Sequence, residues 1–141
     1  MSNTDERSSP REIIKTEKAV YLSKLSPPDP DWPPDVRVMY DELFDHLFDM
    51  GLKISDVKER FGIGNNNVSC RFGHFIGCPP KEFVLHHRFR LAEQLLVDYE
   101  HLTVTQIAFA VGYETPNAFS MTFRRRFGCP PTTYRTQARK K

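Results

Sequence analysis

Leu52, Ile54, Val57 and Gly62 recur 50 residues later as Leu102, Val104, Ile107 and Gly112. Val68, Phe72, Gly77, Cys78, Pro79, Pro80 and Phe83 recur 51 residues later as Phe119, Phe123, Gly128, Cys129, Pro130, Pro131 and Tyr134. One residue is inserted between the two blocks, where "GIGNNNV" becomes "GYETPNAF". A chain of 141 residues that writes one pattern twice builds two similar units. Each copy reads as a short helix, a glycine turn and a longer helix, after which a third helix opens at a proline pair. The repeated "GCPP" is therefore read as architecture: a small apolar residue, then prolines that fix φ at the start of a helix.

The second copy states its chemistry most clearly. "VTQIAFAVG" is a helix of about two turns with Ile107, Ala108 and Val111 facing inward. Gly112 supplies the left-handed backbone of a tight turn, and Tyr113 packs beneath it. Thr115 caps the next helix, Pro116 takes its first position, and Phe119, Phe123 and Phe127 form its buried edge. Asn117, Ser120, Met121, Arg124 and Arg125 lie on the other side. One helix braces while the second offers polar and basic groups to a groove, which is helix-turn-helix logic. In the first copy "ISDVKERFG" braces, and the following helix buries Val68, Phe72 and Ile76 while Asn66, Ser69, Cys70 and His74 face outward. Gly73 weakens that helix by about 1 kcal/mol relative to alanine. Between the copies, "PKEFVLHHRFRLAEQLLVD" runs without a breaker for about 28 Å at 1.5 Å per residue. Two such helices on one strut suit successive major-groove segments, which lie about 34 Å apart.

Charge and cysteine usage narrow the function. Residues 1–50 carry 6 Lys/Arg against 11 Asp/Glu, whereas residues 51–141 carry 14 against 7. A basic half beside an acidic segment suits a nucleic-acid surface. The three cysteines form no C-x-x-C pair, so neither a metal nor a cofactor is expected. No Ser/His/Asp set, phosphate loop or paired acid cleft emerges, and the chain reads as a non-enzyme. It has no membrane-length apolar run and no signal-peptide layout, so a cytoplasmic location is expected. Residues 1–34 hold six of the eleven prolines and read as a flexible Pro/Asp-rich tether, with Ile13–Leu22 the one stretch able to form a short helix. Trp32 within it is read as lying on the domain's own surface. From Asp35, "DVRVMYDELFDHLFDMG" sets Val36, Met39, Leu43, Phe44, Leu47 and Phe48 on one stripe opposite carboxylates.

Over roughly residues 36–138 the sequence resembles the AraC/XylS family of bacterial transcription regulators. The stretch "LTVTQIAFAVGYETPNAFSMTFRRRFGCPPTTYR" carries the resemblance, with Arg88 and Ala92 where the linking helix usually has Arg and Ala. The resemblance implies an all-α domain over 35–141, with about seven helices in two helix-turn-helix subdomains joined by a long central helix. Its parts are a first helix-turn-helix at 52–77, a linker helix at 79–98, a second helix-turn-helix at 102–128 and a C-terminal helix at 130–138. With about 34 residues before it, no small-molecule ligand domain is expected, which resembles the short stand-alone members. That type implies a monomeric activator that binds double-stranded DNA and contacts RNA polymerase.

Carried over by position, the base-facing sites are Asn66, Ser69 and Cys70 in the first unit. In the second they are Asn117, Ser120 and Met121, with Pro116 and Ala118 alongside and Arg124 and Arg125 at phosphate positions. Several residues depart from the family pattern. Arginine is common where Cys70 and Met121 stand, Lys58 replaces a small residue, Arg71 an apolar one, and Gly73 and His74 basic ones. The first unit is thus the weaker reader. The competing expectation is a module of the same fold that binds polymerase or another regulator and touches DNA only weakly.

Overall fold

A computed structural model describes residues 9–62 and 67–139. Among them are eight helices and no strand: α1 (Pro10–Ser23), α2 (Pro34–Asp45), α3 (Ile54–Arg60), α4 (Asn67–Ile76), α5 (Pro80–Asp98), α6 (Val104–Ala110), α7 (Pro116–Phe127) and α8 (Pro131–Arg139). Proline opens five of them, where its missing N–H has no intrahelical acceptor to lose and its fixed φ is already helical. This settles the role of "GCPP". Pro79 adopts an extended conformation as the cap of α5 and Pro80 takes the first helical position. Cys78 and Cys129 are half-buried free thiols just before helix starts.

The long helix α5 is the spine. Its Phe83, Val84, Phe89, Leu91, Ala92, Leu95 and Leu96 are buried, as is Arg88. Helices α2, α3 and α4 form one helix-turn-helix unit beside its first half, and α6, α7 and α8 form the second beside the other. Phe83 meets Phe72 of α4 edge-on, with ring centroids 5.7 Å apart. Phe89 stacks on Phe119 of α7 at 5.3 Å with the rings 10° from parallel. Aromatic pairs of this kind add about 0.5–1.5 kcal/mol beyond the area they bury. In each unit an arginine of the helix that follows the reader holds the backbone that precedes the brace. Arg88 Nε donates to the Leu47 carbonyl at 2.8 Å and Nη2 to the Asp49 carbonyl at 2.8 Å. Arg135 Nε donates to the Leu96 carbonyl at 2.8 Å and Nη2 to the Leu102 carbonyl at 2.7 Å.

Within the segment read as a tether, the described residues from Ser9 onward include a helix. Pro10–Ser23 forms a helix of 14 residues, α1, that packs on α5. Its start carries a reciprocal capping box, in which Ser9 Oγ accepts from the Glu12 N–H at 3.2 Å and Glu12 Oε1 accepts from the Ser9 N–H at 3.2 Å. Ile13 is buried, and Tyr99 Oη donates to Glu17 at 2.7 Å. The following segment is held as well. Tyr40 Oη donates to the Ser26 carbonyl at 2.6 Å, and Trp32 meets the Tyr40 ring at 5.2 Å. Trp32 lies on the domain's own surface, as read from the sequence.

Tyr21 Oη and His87 Nδ1 are 2.6 Å apart across the α1–α5 contact. Burial pushes Tyr21 up to about 12, so its hydroxyl keeps the proton and donates. Burial, followed by the charges of His86 and Arg90, pushes His87 down to about 4. An unfolded histidine titrates near 6.5, so between these values the unfolded chain binds a proton that the folded chain refuses. The contribution of neutral His87 is complete above about pH 6.5 and declines as the pH falls toward 4. Thermal melts at about pH 7 and about pH 5 should show a smaller acid-side loss for His87→Gln than for the unaltered chain. Equal losses would contradict this assignment.

Candidate nucleic-acid interface

Helix α7 is built to present one face. Thr115 Oγ1 accepts the Ala118 N–H at 3.1 Å, Pro116 opens the helix, and Gly128 closes it at φ +86°. Phe119 and Phe123 are fully buried, and Phe127 packs against them. The 100° step per residue then sends Asn117, Ala118, Met121, Arg124 and Arg125 to the opposite, exposed face. Met121 is 58% exposed, a high value for an apolar side chain on a packed helix. Ser120 is half-buried at the edge of this face.

The arginine triplet of α7 divides between two tasks. Arg124 and Arg125 are exposed and make no ion pair among the described residues. Arg126, also exposed, reaches across the surface and donates to both carboxylate oxygens of Glu82 at 2.8 and 3.3 Å, with its guanidinium 5.7 Å from the Phe89 ring centroid. That pairing draws the Glu82 carboxyl below its usual range. Arg126 therefore ties α7 to α5, although its neighbours in sequence gave no reason to treat it differently.

Helix α4 presents a poorer face. Val68 and Phe72 are buried, Cys70 and His74 are exposed, and Ser69 is half-buried. Asn66 lies outside the described residues. Arg71, a departure from the family pattern, pairs with Asp35 at the start of α2 and is committed to the framework. The braces differ too. α6 begins with a capping box in which Thr103 and Gln106 exchange bonds of 2.9 and 3.0 Å, whereas Lys53 gives α3 no side-chain cap. The brace of the second unit is thus the better capped of the two.

The framework roles of Arg88, Arg126 and Arg135 were not read from the sequence. For Arg88 a signal existed. It stands four residues after buried Val84 and four before buried Ala92, on the inward stripe of α5. Among the described residues no cluster of three or more His, Cys, Asp or Glu side chains is placed to hold a metal. A cleft of about 770 Å³ between α1 and α5 is lined by residues such as Tyr21, Lys24, His87, Arg90 and Gln94, none of them on α4 or α7. No described helix is long and apolar enough to cross a membrane.

Two helix-turn-helix units on a shared helix, with an exposed polar face on α4 and an exposed polar and basic face on α7, define the class of this domain. The family model for the helix-turn-helix domain matches residues 57–137, more than half of the chain, which belongs to this family in its AraC/XylS form. The HTH-type transcriptional regulator ExsA of Pseudomonas aeruginosa is 32% identical over 83 residues, covering 59% of this chain and 30% of ExsA. The chain spans about a third of the length of the curated relatives it matches. Among solved structures, the C-terminal domain of AraT, a response regulator from Geobacillus stearothermophilus, superposes with a TM-score of 0.67 at 25% identity, over 76% of this chain and 88% of that one. The DNA-binding domain of AdpA, solved with a target DNA, shares the fold with a TM-score of 0.64 at 22% identity, over 77% of this chain and 96% of that one.

Proposed function

We propose that this chain is a sequence-specific DNA-binding transcription regulator that sets α4 and α7 into successive major-groove segments. The observation that carries the reading is the face of α7. Asn117, Ala118, Met121, Arg124 and Arg125 are exposed together on a helix whose other side is pinned by Phe119 and Phe123. An asparagine can pair with adenine N6 and N7, and methionine and alanine pack on thymine methyls. Arg124 and Arg125 take phosphates, with Ser120 at the margin. In the first unit Asn66, Ser69 and Cys70 take the corresponding base-facing roles, with less hydrogen-bonding capacity. ExsA is named as a transcriptional regulator and the AdpA domain was solved on DNA, which supports the same assignment here. Two readers in one chain suit a monomer acting as an activator in the cytoplasm, with RNA polymerase as its protein partner.

Affinity for DNA should depend steeply on salt. With about five phosphates neutralised, log K falls against log salt with a slope of about −4 to −5. Arg124→Ala should weaken all sequences alike and flatten the slope by about one. The competing reading, a protein-interaction module of the same fold, draws on the diversion of Arg71 to Asp35. A nearly flat salt dependence in a titration of binding favours that module.

A further inference from the structure

Each recognition helix is fixed within its own unit, but DNA reads the distance between them. The helix pairs that pack most extensively are α6 with α7, α7 with α8, α2 with α4, and α2 with α3, or else they involve α5. The two units are thus joined mainly through α5. At Arg88 they also come face to face. The Arg88 guanidinium, rooted in α5 and buried, donates to the Leu47 and Asp49 carbonyls of the first unit. Its other side lies against Gly112, the turn glycine of the second unit. A Cβ built on Gly112 would stand 2.8 Å from Arg88 Cζ, 2.9 Å from Nη2 and 3.0 Å from the Phe48 carbonyl oxygen. Backbone of one unit, guanidinium and backbone of the other are therefore in direct succession, with no room for a side chain. Gly112 also holds φ +104°, so a single residue makes both the turn before α7 and the seat for Arg88.

We propose that Arg88, Gly112 and the 47–49 carbonyls form a rigid joint that fixes the phase between the two recognition helices and so sets the half-site spacing this chain accepts. The inference rests on the DNA-reading function proposed above. Arg88 is a positioning residue and touches no base in this account. A planar guanidinium with two donors on one unit's carbonyls and a face on the other's glycine resists both rotation and sliding. Lysine, a single point donor on a flexible stem, cannot do both. One inserted base pair moves a half-site by about 3.4 Å and about 34°, so a rigid pair of readers cannot follow it without deforming the DNA.

Two measurements on the full chain test the joint. The first needs no DNA. Spin labels at Cys70 and at a cysteine replacing Met121, with Cys78 and Cys129 changed to serine, report the distance between readers. The unaltered joint should give one narrow distribution, and Arg88→Met a broader one. Equal widths would overturn the joint. In the second, a sequence selected by the unaltered chain from random DNA is rebuilt with one base pair added or removed between half-sites. The unaltered chain should lose about tenfold or more in affinity, and Arg88→Met less than about threefold. A purely structural role would weaken every spacing by the same factor and leave that ratio unchanged, which would also overturn the proposal. If Arg88→Met does not fold by circular dichroism, Arg88→Lys replaces it and should relax the ratio in the same direction. A pool that yields no enriched sequence would remove the DNA reading and the spacing claim together, whereas an unchanged ratio on a selected sequence removes the spacing claim alone.

Discussion

Gly112→Ala should destabilise the chain by about 2–6 kcal/mol, a large part of a total domain stability of about 5–15 kcal/mol. Two effects add. At φ +104° an L side chain meets its own backbone, a strain of about 1–3 kcal/mol. The added methyl also enters the guanidinium of Arg88 at 2.8 Å and the Phe48 carbonyl at 3.0 Å. Overpacking of this kind costs about 1–3 kcal/mol. The guanidinium cannot swing aside without releasing the Leu47 and Asp49 carbonyls that it satisfies. Gly62, at the equivalent turn of the first unit, is the internal control. Its φ is +69° and a Cβ there meets nothing within 4 Å among the described residues. Gly62→Ala should therefore cost only about 1 kcal/mol, the conformational part. Urea unfolding of the two variants checks this, and equal losses would contradict the steric account.

Phe119→Ala should cost about 3–5 kcal/mol, the range for emptying a buried phenylalanine site. Phe119 is fully buried, stacked on Phe89 at 5.3 Å and in edge contact with Tyr113 at 5.7 Å. It is the peg by which the α7 reader hangs on the spine, and neighbouring rings cannot close the space without moving α5. Met121, two residues further on, projects into solvent. Met121→Ala should change thermal stability by no more than about 0.5 kcal/mol. A pair of residues so close in sequence and so different in cost follows from the two faces of one helix. A loss below about 1 kcal/mol at Phe119 would show that α7 is held by something else.

Much of this arrangement could be read before any coordinates. The 50- and 51-residue repeat required two similar units, and the glycine turns and proline starts marked where their helices begin and end. The Phe119/Phe123 stripe told which side of α7 is free, because a period of 3.6 residues leaves little choice once two large rings are placed. Contacts between elements remote in sequence were not readable. Arg126 follows Arg124 and Arg125 in the chain, but one further step around the helix carries it to Glu82, 44 residues away. Arg71 finds Asp35 across 36 residues in the same way. α1 was legible only in part, as the Ile13–Leu22 stretch able to form a short helix. Proline, serine and aspartate dominate residues 1–34, yet Ser9, Pro10 and Glu12 spell a helix start that outweighs them locally. The readers' base-facing roles rest on exposure and chemistry, and Asn66 lies outside the described residues.

Selection of bound sequences from a random DNA pool tests the central claim most directly. Neither reader carries an arginine or lysine at a central base-facing position, and paired bonds from such residues are the usual means of recognising guanine. The account predicts an enriched sequence of two half-sites about one helical turn apart, richer in A·T than in G·C, with the half-site under α7 the better defined. Asn117→Ala should relax one or two positions there, by about 1–3 kcal/mol of discrimination, and Asn66→Ala should do less. An unenriched pool, or a consensus with fixed guanines opposite α7, would contradict it.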